Sequence, residues 1–318
     1  MHCKIKKLLI IIIILTLSER LSAQESRTEY NFLRLPMSAH VAALGGDNIS
    51  IIEDDPTLIF HNPALISCVS DKSININFMN YMEGVNTGSA SFIRAVGEKG
   101  TWGVMAQYMD YGEIRETTVD NVETGTFSAK DIMVGGTFTY LLGTNLAGGI
   151  SAKFITSYIG DYNSIAVGVD LGLNYYLPQN GLSFSIVARN LGGQVKAFED
   201  EFERIPFDLQ AGVTKKLGNA PLRVSVTMTR INSWDDSFLE HFVIGAEIFL
   251  TKKIYIAGGY NIRRAEEMEI ADTEDESSHG AGLSLGGGLT IKKLQFHVAY
   301  AKYHVSSSSL NFSLSLGL

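Results

Sequence analysis

The last nine residues, 310–318, read Leu310-Asn311-Phe312-Ser313-Leu314-Ser315-Leu316-Gly317-Leu318. Large apolar residues alternate here with small or polar ones. Successive side chains of a β-strand point to opposite faces, so the segment predicts a strand with one apolar face and one polar face. Long alternating strands of this kind are typical of transmembrane β-barrels, which have lipid outside and a polar lumen inside.

The same alternation recurs along most of the chain. A soluble β-sandwich also alternates, but its strands are usually shorter than the segments found here. We therefore predict an all-β transmembrane protein, an antiparallel outer-membrane β-barrel of about fourteen strands that spans residues 71–318. The predicted strands are 71–80, 86–97, 100–110, 126–142, 144–158, 163–177, 181–191, 206–217, 221–231, 238–251, 253–263, 279–291, 293–304 and 307–318.

The predicted connections alternate between tight and long. Tight turns are expected at 98–99, 143, 178–180, 218–220, 252 and 292, and long loops at 111–125, 192–205 and 264–278. Outer-membrane barrels have this asymmetry, with short periplasmic turns and long extracellular loops. We therefore expect the long loops to lie on the extracellular side of the bacterial outer membrane.

The amino-terminal residues have the pattern of an export signal. A basic start is followed by the apolar run Leu8–Leu17, and a small-residue cleavage site ends at Ala23. This predicts a secretory signal peptide over residues 1–23. An uncleaved anchor helix is the alternative, and the apolar run is short for one.

Residues 30–68 do not alternate, and we predict that residues 24–70 form a periplasmic segment and a hatch inside the lumen. Residues 30–46 predict a short helix ended by Gly45 and Gly46. Asp55 and Asn62 each precede a proline, which is a helix-start signal. The charged residues expected to face the lumen could pair with this hatch or with one another; they are Lys153, Asp170, Arg189, Asp208, Arg223 and Glu247.

One motif in this segment resembles a known family. Its residues are Phe32, Leu33, Pro36, Ala42, Leu44, Gly45, Gly46, Asp54, Asp55, Pro56, Phe60, Asn62, Pro63 and Ala64. The motif is similar to the opening of the PorQ and PorV outer-membrane proteins of the type IX secretion system of Bacteroidota. Those proteins resemble in turn the fourteen-stranded FadL fatty-acid transporters with their amino-terminal hatch. The resemblance covers only residues 30–66.

The resemblance implies a non-enzymatic role in a cell-surface attachment complex. The barrel would anchor the surface protein PorZ and support PorU and PorV, which join secreted cargo to anionic lipopolysaccharide. The alternative is a FadL-like transporter of hydrophobic small molecules. Its ligand pocket would be lined by hatch residues that could equally form the hatch's own core: Met37, Val41, Leu44, Phe60 and Leu65.

The predicted outer loops are acidic and are the candidate partner-docking surface. Their candidate residues are Glu116, Asp120, Glu199, Asp200, Glu201, Glu203, Glu267, Asp272, Glu274 and Asp275. The other interpretation is a solvated loop surface. Neither of the two most acidic loops has the spacing of a calcium-binding loop.

The sequence shows no catalytic, zinc-binding or phosphate-binding motif, so we expect no enzyme activity and no cofactor. The net charge of −8 argues against a nucleic-acid partner. Cys68 is interpreted as a small buried hydrophobe. The run Gly286-Gly287-Gly288 predicts a bend or close packing in a strand.

Overall fold

The computed structural model describes residues 30–318 except 83, 121, 219, 235–236, 269, 272–275, 278–279 and 305–306. The predicted signal peptide lies outside the described residues. Over the described part, fourteen antiparallel strands close into one barrel, which confirms the predicted fold class. The strands are β1 Ser73–Met82, β2 Val85–Val96, β3 Gly100–Thr117, β4 Glu123–Leu141, β5 Leu146–Ile159, β6 Tyr162–Leu177, β7 Leu182–Lys196, β8 Asp208–Lys216, β9 Leu222–Met228, β10 Phe242–Phe249, β11 Ile254–Asn261, β12 Leu283–Ile291, β13 Leu294–His304 and β14 Ser307–Gly317.

The last strand shows why the alternation predicted a membrane barrel. In β14, Phe312 and Leu314 point outward and are 37% and 45% exposed, whereas Ser313 and Ser315 point inward and are 1–2% exposed. A continuous apolar outer belt would promote aggregation in water, but it is the normal outer surface of a barrel in lipid. Among the helices that the structure describes, none is long and apolar enough to cross a membrane.

The two ends of the barrel differ. We call one end the short-turn rim; it carries the connections at 97–99, 142–145, 178–181, 217–221, 250–253 and 292–293. The other end is the long-loop rim; it carries those at 118–122, 197–207, 229–241 and 262–282. The last of these contains helix α2, Ile262–Glu267, and a pair of two-residue strands at Ile270–Ala271 and Glu276–Ser277.

The prediction of a loop at 111–125 is wrong. Strands β3 and β4 extend into this range as a long hairpin whose connection is only 118–122. The register shifts between Asp110 and Glu113, where Gly112 has φ +71°. This bulge interrupts the alternation, so the sequence suggested that the strand ended at a point where it only kinks.

Residues 30–72 fold inside the barrel, and we call them the hatch. The hatch contains short 3-10 helices at Asn31–Arg34, Pro56–Phe60 and Pro63–Cys68, and one α-helix, α1, at Ala39–Ala43. The single helix predicted over 30–46 is therefore wrong in extent. Pro36 separates the two turns because its ring cannot continue a helix.

The predicted helix ends are confirmed. Gly45 and Gly46 follow α1 with φ of +104° and +99°, a conformation that glycine adopts at low cost. The side chains of Asp55 and Asn62 each accept a backbone hydrogen bond of 2.9 Å at the start of the two proline-led turns. These caps are local, so the sequence was sufficient to predict them.

The hatch runs from one rim to the other. Tyr30 accepts a hydrogen bond of 3.0 Å from Gln194 near the long-loop end of β7. At the short-turn end, the backbone N–H of Ser70 donates to Asp54 at 2.7 Å. Cys68 lies near this second end and is exposed, so the prediction that it is buried is wrong.

Glycines in the wall make room for the hatch. A Cβ on Gly149 would lie 2.7 Å from the backbone N of Ala64, and one on Gly286 would lie 2.6 Å from Cβ of Ala43. A Cβ on Gly259 would collide with the backbone of Leu44. The packing role predicted for the glycine run that includes Gly286 is therefore confirmed.

We predict that Gly149→Ala destabilises the folded barrel by about 1–3 kcal/mol, because backbone atoms of Pro63 and Ala64 occupy the space the methyl needs. Gly136→Ala is the control, since a Cβ there meets nothing within 4 Å. Urea unfolding of detergent-purified protein measures both. Equal midpoints for the two variants would contradict close hatch packing.

Candidate functional site

A buried ion network joins the hatch to the wall. Oε1 of Glu247, on β10, lies 2.6 Å from Nε2 of His40 on α1. Arg223, on β9, donates to Glu247 through Nε at 2.5 Å and Nη2 at 3.0 Å. Its Nη1 lies 2.7 Å from Oε2 of Glu53 in the hatch. The hatch is therefore attached to two adjacent strands through two ion pairs, and the Arg223–Glu247 pair links those strands to each other.

Aromatic rings surround the His40 end of this network. The His40 ring lies 4.5 Å from the Tyr255 ring and 5.3 Å from the His297 ring. The Tyr255 hydroxyl lies 2.7 Å from Nδ1 of His297. Burial lowers the pKa of His40, but the nearby Glu247 carboxylate outweighs burial, and the net pKa is raised. His40 is thereby favoured in the charged form that pairs with Glu247.

A second attachment uses Arg189 on β7. Its Nη2 donates to the carbonyl oxygens of Leu33 at 3.1 Å and Phe60 at 3.2 Å, which lie in different turns of the hatch. Its Nη1 lies 3.8 Å from Oδ1 of Asp47. Burial, together with Arg189 and a nearby lysine, holds the pKa of the hatch residue His61 well below its usual range.

The charged residues predicted to face the lumen could pair with the hatch or with one another, and the structure shows both arrangements. Lys153 and Asp170 pair with each other at 2.5 Å across β5 and β6. Asp208 accepts a hydrogen bond of 2.6 Å from the backbone N–H of Arg230, in the loop that follows β9. In contrast, Arg189 binds the hatch directly.

The five apolar hatch residues proposed as a ligand pocket are all packed. Met37 and Phe60 belong to one buried cluster with the wall, and Val41, Leu44 and Leu65 belong to a second. None is more than 4% exposed. They therefore form the core between the hatch and the wall.

The remaining motif residues also lie in the hatch. Phe32 and Leu33 are buried in the first cluster, and Ala42 in the second. The carbonyl of Pro36 accepts a hydrogen bond of 2.9 Å from Asn311 on β14. Asp54 stays exposed and accepts hydrogen bonds from Ser70.

The acidic candidates for partner docking are spread over the long-loop rim. Those that the structure describes are exposed: Glu116 on β3, Asp120 in the hairpin turn, Glu199, Asp200, Glu201 and Glu203 between β7 and β8, and Glu267 on α2. Asp272, Glu274 and Asp275 lie outside the described residues. Within the described part, no three His, Cys, Asp or Glu side chains are placed to hold a metal ion.

Sequence reasoning missed an aromatic patch on the same rim. The rings of Trp234 and Phe238 stack with centroids 6.2 Å apart, and Leu239 lies beside Phe238 in the chain. The three side chains are 55–60% exposed. A usable signal existed, since one of only two tryptophans in the chain stands in a connection rather than in an alternating strand. We call these three residues the aromatic patch.

A shallow, largely open apolar cleft of about 1190 Å³ lies on the membrane-facing side of β1 to β7. Its floor includes small outward residues such as Ala106, Gly136 and Ala152, and Phe92 and Phe154 border it. The wall behind it is bulged, because Arg189 and Asn190 of β7 together face Asp170 of β6.

No protein-family model matches the chain, and no curated protein matches it. Solved structures do. The toluene transporter TodX of Pseudomonas putida aligns with 88% of this chain and 97% of its own, with a TM-score of 0.58 and 12% identity. The fold is that of the FadL-type outer-membrane barrels. The CymD monoaromatic hydrocarbon channel (TM-score 0.57, 14% identity, 88% of this chain and 95% of its own) has it too.

A Pseudomonas aeruginosa FadL homologue also aligns, with a TM-score of 0.52 and 11% identity over 86% of this chain and 97% of its own. At such identities the likeness extends to the fold. The neighbours are named as channels and transporters rather than enzymes. Their names fit the alternative expectation, FadL-like transport, better than they fit a surface attachment complex.

We predict that Glu247→Gln destabilises the folded protein by about 3–5 kcal/mol, because it removes the buried carboxylate with which both His40 and Arg223 pair. The control is Glu123→Gln, which breaks the exposed pair with Arg115 and should cost at most about 1 kcal/mol. Urea unfolding measures both. A change of the same size in the two variants would show that the network does not hold the hatch.

Proposed function

We propose that this chain is a non-enzymatic outer-membrane barrel that docks a surface protein on its long-loop rim, with that rim facing outside the cell. The observation that carries the proposal is the attachment of the hatch to the wall. His40 and Glu53 pair with wall residues, and Arg189 binds two hatch turns.

This attachment makes an open lumen costly. Removing the hatch would separate buried charges from their partners, and each such separation costs several kcal/mol. It would also remove packing contacts from the buried apolar residues of the hatch and of the wall. A barrel closed in this way presents its rim loops, rather than a conduit, as the surface available for interaction.

The rim has the composition of a docking surface. The aromatic patch is exposed on a rim that is otherwise rich in acidic residues. Tryptophan and other aromatic residues dominate the binding energy of protein interfaces, and exposed apolar patches mark interaction sites. A partner with an apolar spot surrounded by basic residues would complement this rim.

The finer proposal is that the partner is the surface protein PorZ, within the type IX attachment complex that also contains PorU and PorV and acts on lipopolysaccharide. The support is the sequence motif over residues 30–66, which resembles PorQ and PorV. Its capping residues Asp55 and Asn62 and its glycines Gly45 and Gly46 build the turns of the hatch.

We predict that a Trp234→Ala, Phe238→Ala double variant loses at least about tenfold of the co-purified PorZ, because truncating interface aromatics costs about 2 kcal/mol or more. The measurement is affinity purification of a tagged copy from native outer membranes in mild detergent, followed by mass spectrometry. Phe184→Ala, which alters an outward side chain near the short-turn rim, is the control.

Wild-type protein and the Phe184→Ala control should both retain PorZ, PorU and PorV. Each variant must first run as a folded barrel on an unheated gel. Wild-type protein that brings none of these proteins along would refute the attachment role. Full retention by the double variant would refute docking through the aromatic patch.

Transport of hydrophobic small molecules is the second candidate. The apolar cleft favours it, since it offers a site for an apolar solute on the membrane side of a bulged wall. The names of TodX and CymD, a toluene transporter and a hydrocarbon channel, favour it as well. The fully packed apolar residues of the hatch argue against a site for a hydrophobic ligand inside the lumen.

The transport candidate predicts saturable binding of a fluorescent fatty acid to purified protein. Ala152→Trp should abolish that binding by filling the cleft, because Ala152 lies on the cleft floor. Ile248→Trp, on the outward face of β10, should leave it unchanged. An absence of saturable binding to wild-type protein would rule this candidate out.

A further inference from the structure

A polar cavity of about 340 Å³ lies above the hatch and opens toward the long-loop rim. Residues from the hatch, from strands β1, β7, β8, β11 and β13 and from the loops that follow β9 and β11 line it. Five of them are arginines: Arg34, Arg189, Arg230, Arg263 and Arg264. We call this cavity the arginine pocket.

Among the described residues that line the arginine pocket, positive charges outnumber negative ones. Against the five arginines stand three carboxylates, Asp47, Asp208 and Glu267. Glu267, which is partly exposed, lies 3.6 Å from Arg230 and 3.9 Å from Arg263. The lining described here therefore carries two more positive charges than negative ones.

Arg264 is buried among neutral acceptors. It is 5% exposed, and its ring contact is the face of Tyr303 at 4.7 Å. Its guanidinium donates to the carbonyls of Ala281, Gly282, Leu283 and Gly45 and to the hydroxyl of Ser284. These bonds orient the group without neutralising it.

Arg189 has one donor unused. It is 5% exposed, and no described residue accepts a hydrogen bond from its Nε. Its nearest carboxylate, Asp47, is 3.8 Å away, and burial raises the pKa of Asp47, which makes it a weaker counter-ion. A buried guanidinium with an unused N–H is costly unless an acceptor reaches it.

We propose that the arginine pocket binds an anionic group, a phosphate or a carboxylate, that enters from the long-loop rim. Arginine presents planar paired donors that match both groups. The volume is at the small end of ligand sites, so it suits a phosphorylated or carboxylated sugar-sized group rather than an acyl chain. This inference holds whichever of the two proposed functions is correct.

Isothermal titration calorimetry of the detergent-purified full chain with inorganic phosphate tests the site. Wild-type protein should bind with one saturable site. Arg230→Gln should weaken binding about tenfold or more, because it removes a charge at the pocket wall. Glu267→Gln should tighten it about threefold, since it removes a competing carboxylate that solvent partly screens.

Arg115→Gln is the matched control, because Arg115 pairs with Glu123 on the exposed β3–β4 hairpin outside the pocket. It should bind phosphate as wild-type protein does. No saturable binding by wild-type protein, or an equal loss in Arg115→Gln and Arg230→Gln, would overturn the proposal.

A second titration separates two sources of the anionic group. Purified lipopolysaccharide is added before phosphate. If lipopolysaccharide competes with phosphate for wild-type protein but not for the Arg230→Gln variant, the pocket binds a phosphate of the glycolipid. Unchanged phosphate binding would assign it to a free anion or to a side chain of a partner protein. Both results support the site.

Discussion

The pairing of the first strand with the last is the constraint on which everything else in this molecule depends. β1 and β14 pair from Ser73 with Gly317 to Asn80 with Leu310. Lipid offers no hydrogen bonds, so an open sheet edge there would leave a row of unsatisfied backbone groups. Closure removes that edge and at the same time creates a lumen that must be filled or left to water.

The hatch fills the lumen, and the inner face of the wall is shaped to fit it. Glycines at the contact positions, such as Gly149 and Gly259, let the hatch backbone approach the strands. Charged residues at other contact positions meet partners in the hatch, as Glu247 does with His40. The same wall is apolar on its outer face and fits the hatch on its inner face. The long-loop rim, with its aromatic patch and arginine pocket, is therefore the chemically distinctive surface.

Several parts of the candidate site were accessible to sequence reasoning. The hatch turns were predicted because the caps at Asp55 and Asn62 act within three residues. The β3–β4 hairpin was missed because a bulge at Gly112 interrupts the period of two that marks a strand. The aromatic patch was missed because apolar residues in a connection carry no periodic signal.

The sequence by itself determined the strand number, the inner and outer faces and the turns of the hatch, because alternation and capping are short-range properties of the chain. Only the tertiary structure decided which charges meet. His40 and Glu247 are 207 residues apart, and Arg189 and Leu33 are 156 apart. These contacts, and the arginine pocket built from distant strands and the hatch, exist only once the barrel has closed, since closure sets the distance between strands remote in sequence.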